Sequence, residues 1–177
     1  MEDIEKNYRA TPTNSRKYPK RLTDYVTDLV KRGRILEAKH FFLELCKISP
    51  HHDKTIRLGY TIAIATFDND WVLKYDQLLT DSASDINEVL WFQLRYYQSQ
   101  NNIPACETVS CELLEKRLNN DHFSAVLETC IERQSYVVAE SLARYLVKNR
   151  LALSPPVSNW FKQIVITRLI HTLQRYK

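Results

Sequence analysis

Glycine is nearly missing from this chain: two residues, Gly33 and Gly59, among 177. Tight hairpins, phosphate-cradling loops and dinucleotide sites need glycine where φ is positive or where backbone approaches a ligand. Their scarcity argues against a sheet-rich enzyme fold. Long apolar runs are also lacking, and none approaches the roughly 18 residues that mark a membrane helix. The four cysteines, Cys46, Cys106, Cys111 and Cys130, form no CxxC pair. The first residues, Met1 to Lys6, lack the apolar stretch of a secretory signal. Together these absences predict free thiols in a reducing compartment, cytoplasmic or nuclear, and no membrane span.

Acidic residues are absent from one stretch. Residues 141–177 hold seven Lys/Arg and no acid, a charge of +7. Residues 1–21 carry +3, and residues 22–140 carry −6. Such division of charge is a physical statement about partners.

What is present is helical periodicity. Leu22, Tyr25, Val26, Leu29 and Val30 form one apolar stripe, ended near Gly33. Ile35, Ala38, Phe42, Leu45 and Cys46 form the next, ended by Ser49-Pro50. The spacing i, i+3, i+4, i+7 is that of a helix with one buried face. Further helices are predicted at 53–67, 70–81, 86–99, 103–119, 121–133, 135–149 and 156–175. Gly59 to Phe67 is β-branched and alternating, and its helical neighbours decide it as helix. Residues 1–21, with Thr11-Pro12-Thr13-Asn14-Ser15 and Pro19, read as a flexible basic arm, and 22–177 as a single helical domain.

The helices come in pairs. Turns inside successive pairs are predicted at Gly33, Asn69, Asn101 and Gln134, at intervals of 36, 32 and 33. Near-constant spacing of helix pairs is the mark of a solenoid, with an irregular bundle as the alternative. In residues 19–52, Gly33 precedes Ile35, Ala38, Phe42, Leu45 and Pro50. Phe123, Leu127, Cys130, Tyr136, Ala139, Ala143 and Leu146 repeat the pattern, and Leu90, Leu94, Tyr97, Ile103, Cys106 and Leu113 repeat it in part. The second unit keeps Asn69 and Trp71, but Lys74 stands where a small residue belongs. This pattern resembles the tetratricopeptide repeat family and, more loosely, the pentatricopeptide one. The resemblance implies an all-α, right-handed helical-repeat solenoid of about four helix-turn-helix pairs. The helix from Val157 to Tyr176 would cap it.

Chemistry-bearing motifs are scarce. His40 and Cys46, His51 and His52, Cys106 and Cys111, and His122 and Cys130 lack the spacing that brings two ligands to one metal. No nucleophile elbow, Gly-rich phosphate loop or HExxH motif occurs. The expectation is a non-enzymatic protein with no catalytic residue, cofactor or metal.

Two surfaces are candidates for partners. In the repeat register, Arg57, Trp91, Arg95, Gln98, Ser124 and Glu128 point to a concave face, and Trp91 beside Arg95 suits a peptide or helix of another protein. The alternative places Trp91 in the core. The second surface is the basic carboxyl end: Arg144, Lys148, Arg150, Lys162, Arg168, His171 and Arg175. A one-sided basic helix suits phosphates or an acidic surface, and the pentatricopeptide resemblance would imply RNA. The acidic middle puts a protein-interaction scaffold first and RNA binding second. Self-association through Phe161 to Tyr176 is a third expectation.

Overall fold

The computed structural model describes residues 4–82 and 85–152, with 155, 158, 159, 162 and 163 beyond them. All regular structure among the described residues is helical. The order is α1 (Ile4–Arg9), α2 (Tyr18–Lys31), α3 (Ile35–Ile48), α4 (Asp53–Ala65), α5 (Asn69–Ser82), α6 (Ile86–Ser99), α7 (Ile103–Leu114), α8 (Asn120–Glu132) and α9 (Tyr136–Asn149). The all-α expectation holds there, including the β-branched stretch after Gly59, which is helical through Ala65. The expected capping helix, Val157 to Tyr176, falls almost wholly outside the described residues. The chain divides into two compact units, Met1–Phe92 and Gln93–Lys177, and the division falls inside α6. One domain was expected over 22–177, and each of the two units is described by itself.

In the first unit the stripes that predicted helices are the ones that become buried. Leu22, Val26 and Leu29 of α2 are fully enclosed, as are Ala38 and Phe42 of α3. Each enclosed leucine contributes roughly 1.5–3 kcal/mol of transfer free energy. Aromatic rings extend the core: Phe42 meets the edge of Tyr75 at 5.9 Å, and Tyr60 stacks on Phe92 at 4.7 Å. The amino-terminal segment departs from the flexible arm that composition suggested. It carries α1, and α2 starts at Tyr18, four residues before Leu22. The reason is aromatic packing: Tyr8 stacks on Tyr25 at 4.7 Å and meets the edge of Phe41 at 5.6 Å. Pro19 suits the first turn of α2, where its missing N–H costs nothing.

Gly59 sits inside α4, where glycine weakens a helix by about 0.5–1 kcal/mol relative to alanine. Its place is explained by Tyr75: a Cβ on Gly59 would lie 2.4 Å from the tyrosine ring. The absent side chain lets α4 and α5 close on that ring.

The turns set the repeat. Gly33, Phe67, Asn101 and Gln134 all take left-handed φ, at 73°, 54°, 52° and 49°. Their spacings are 34, 34 and 33 residues. At Gly33 the N–H of Arg34 reaches Leu29 O, while Gly33 N–H reaches Val30 O. Phe67/Asp68 and Asn101/Asn102 repeat this pair of bonds, as does Arg150/Leu151 after α9. It is the Schellman closure, which satisfies carbonyls that a helix end leaves open. The second turn is therefore at Phe67, not at the predicted Asn69, which already lies in α5. With that register Val72, not Lys74, stands at the close-contact position. Ala38, Val72, Cys106 and Ala139 are all buried there, as are Leu45, Leu79, Leu113 and Leu146. Caps follow the same beat: the side chains of Asp68, Asn102 and Ser135 accept from the N–H three residues on.

In the second unit α7 packs on α8 and α9, and α8 on α9. Cys106, Leu113, Val126, Cys130 and Leu142 are fully enclosed. Helix α7 stops at Leu114 rather than running to 119. The chain there is pinned instead by Tyr145, whose hydroxyl accepts from Leu118 N–H at 3.2 Å.

Candidate functional site

Four of the residues expected on a recognition face, Arg57, Arg95, Gln98 and Glu128, are joined to neighbouring helices. In the first unit Arg57 of α4 forms a two-armed ion pair with Glu88 of α6, its second arm at 2.9 Å. The carboxylate holds the guanidinium pKa above its ordinary value. In the second unit Arg95 Nη1 donates to Glu128 Oε2 at 2.6 Å and to Gln98 Oε1 at 2.9 Å. Both pairs are partly exposed, so each contributes about 0.2–1 kcal/mol, as a clasp between helices.

Gln98 corrects the expectation most clearly. It is 7% exposed, not presented on a surface. Its amide donates to Ala125 O at 2.9 Å and Thr129 Oγ1 at 2.8 Å. Arg133 adds a bond to Gln98 O at 2.7 Å. In the 34-residue register Gln98 stands where Val30, Ile64 and Ile131 stand, on an aliphatic row. The row turns polar there, and every described polar atom of Gln98's amide finds a partner. Ser124 is exposed on α8. Trp91 is half-buried and edge-on to Phe92 at 4.7 Å, so part of its ring belongs to the first unit's packing.

At the carboxyl end Arg144, Lys148, Arg150 and Lys162 are exposed, with Arg144 paired to Glu140 at 2.5 Å. Arg168, His171 and Arg175 lie outside the described residues. Two thiols are enclosed: burial raises the Cys106 pKa and pushes Cys130 up to about 11. Cys46 is half-buried, with Tyr75 Oη 3.5 Å from its sulfur. The two enclosed settings are inert ones for a thiol.

Features that sequence reading missed lie in the first unit. Lys39 Nζ pairs with Asp68 Oδ2 at 2.9 Å and sits 4.6 Å above the Trp71 ring. Phe67 is 63% exposed in its left-handed turn and makes no ring contact among the described residues. A surface recess of about 390 Å³ opens between the starts of α2 and α4, lined in part by Arg16, Lys20, Asp24, His52 and Lys54. The sequence did show the basic run Arg16-Lys17-Tyr18-Pro19-Lys20-Arg21, but not that His52 and Lys54 stand beside it. No described helix is long and apolar enough to cross a membrane. Neither a family model, a curated protein nor a solved structure matches the chain.

Proposed function

We propose that this chain is a non-enzymatic interaction protein, a tetratricopeptide-like helical repeat that binds a peptide or helical segment of another protein. The observation that carries the reading is the recurrence of the left-handed turn at Gly33, Phe67, Asn101 and Gln134. Hairpins repeated at that spacing bury one shared apolar spine and leave their outer faces for recognition.

Phe67 adds a specific reason to favour a protein partner. An aromatic residue in the left-handed region is strained, and glycine or asparagine suits the turn better. Strain of this kind clusters at functional positions. Leu36 and Leu73 are also largely exposed, at 80% and 71%, and apolar groups of this sort are what a protein segment covers.

The test is affinity capture with the full chain, with and without RNase, comparing wild type with Phe67→Asn. Asparagine fits the turn, so the fold stays intact while the ring is removed. The expected result is a directly bound protein that survives RNase and is depleted by Phe67→Asn. Capture unaffected by that substitution removes Phe67 from the site. Capture of RNA alone overturns the protein-binding reading. RNA is the second reading, because Lys148, Arg150 and Lys162 are exposed with no carboxylate partner among the described residues.

A further inference from the structure

Some cations of the first unit are paired and others are not. Arg9, Arg32, Arg34, Lys39 and Arg57 each face a carboxylate. Arg16, Lys20 and Lys54 face none within ion-pair distance among the described residues, yet all three line the recess between α2 and α4. Among the described residues Asp24 is the one carboxylate lining it, so these charged groups leave a net +2 when His52 is neutral. Like charges gathered in one concavity repel one another and focus a field on an incoming anion.

The hydroxyls in the recess sharpen the picture. Thr23 is occupied, donating to Pro19 O at 2.8 Å. Ser49 and Thr55 also line the recess, and neither hydroxyl has a hydrogen-bond partner among the described residues. Thr55 is 1% exposed. The amides at the start of α4 are already in use. Lys54 N–H donates to His52 Nδ1 at 3.2 Å, and the Thr55 and Ile56 N–H groups donate to His52 O. Recognition therefore falls to the side chains.

We propose that this recess is a phosphate-reading subsite that takes a phosphorylated side chain on the partner's peptide segment. The proposal rests on the protein-binding reading and names what the partner carries. A phosphate monoester bears about −1.5 to −2 charges near pH 7, matching the net charge of the recess, whereas a carboxylate leaves half of it unbalanced. Its three oxygens accept from a guanidinium, two ammonium groups and two hydroxyls. A nucleic-acid backbone fits less well. It carries one charge per phosphate and needs a track, but α2 continues past the recess with Asp28, and α4 opens with Asp53.

The experiment is an NMR titration of the full, isotope-labelled chain. The probes are a short Gly/Ser peptide with one phosphoserine, its unphosphorylated twin, and oligouridylate. The phosphopeptide is expected to shift the amides of Ser49, Lys54 and Thr55, and its twin to leave them in place. Lys20→Ala with Lys54→Ala should weaken binding by about tenfold or more. Thr55→Val keeps the shape, removes the hydroxyl, and should weaken binding severalfold with the amide spectrum otherwise unchanged. Equal shifts from the twin, no shift from the phosphopeptide, or tighter binding of oligouridylate at the same amides overturns the proposal. Phosphatase treatment separates the two readings: a protein partner captured equally well after it leaves the interaction reading standing and removes this one.

Discussion

Lys39 Nζ and Asp68 Oδ2 lie 2.9 Å apart, joining α3 to the turn before α5, with the ammonium 4.6 Å above Trp71. The second unit places a hydrogen bond at the same two repeat positions, where Ser135 Oγ donates to Glu107 Oε1 at 2.6 Å. The strut recurs although its chemistry changes from ion pair to neutral donor. That recurrence is a consequence of register, since both pairs stand six residues after one left-handed turn and one residue after the next.

The Asp68 carboxyl titrates below its ordinary range because Lys39 and the Trp71 N–H both donate to it. A carboxylate with a depressed folded pKa adds stability above the unfolded pKa and loses it as pH falls through the folded one. Asp68→Asn keeps the cap but removes the charge. It should lower the unfolding midpoint at neutral pH, and the gap from wild type should close as pH drops below about 4. Thermal melts across pH check this; a constant gap would show that the pair carries no such weight.

Gly59→Ala sets helix propensity against packing. Alanine gains up to about 1 kcal/mol in a helix interior. The new Cβ would meet the Tyr75 ring at 2.4 Å, and overpacking costs about 1–3 kcal/mol. Net destabilisation is expected in urea, relieved by pairing the change with Tyr75→Leu.

Gln98 stands on an aliphatic row, so its neighbours accept a hydrocarbon better than a hole. Gln98→Leu should change stability by less than about 1.5 kcal/mol, because Thr129 Oγ1 keeps its own bond to Ala125 O. Gln98→Ala should cost about 2–3 kcal/mol through the cavity it leaves. Equal losses in the two variants would mean that the hydrogen bonds, not the volume, matter.

The thiols should react in order of access. Cys46 and Cys111 are half-buried, while Cys106 and Cys130 are enclosed. Alkylation of the native chain near pH 8, read by peptide mass, should mark the first pair well before the second. Unfolding should abolish the order, since it removes the burial that raises Cys106 and Cys130.

Phe67→Asn should raise unfolding stability by about 0.5–1 kcal/mol, because asparagine tolerates the left-handed turn and the ring contributes no described aromatic contact. A loss of stability on denaturant unfolding would show instead that the ring packs usefully in the free protein.

The helices and most turns were legible in the sequence because they depend on local patterns. Leu22, Val26 and Leu29 repeat at helical spacing, and Gly33 marks a turn by its lack of a side chain. Phe67 was not legible as a turn, since an aromatic gives no sign of left-handed backbone, and Asp68-Asn69 drew the boundary two residues late. The amino-terminal segment read as an arm because turn-forming residues outweighed Tyr8, whose value lies in rings from α2 and α3. Arg57, Arg95 and Gln98 share one property: a helical pattern shows which way a side chain leans, but not what stands opposite.

The sequence by itself determined the all-helical class, the pairing of helices and the small buried residues Ala38, Cys106 and Ala139, because periodicity and residue size act within a few turns of chain. Only the tertiary structure decided that Arg95 clasps Glu128, that Gln98 is enclosed, and that Arg16, Lys20 and Lys54 gather at one recess with no carboxylate partner among the described residues. Those outcomes depend on distances between residues some 30 positions apart, which the packing of one helix on the next sets.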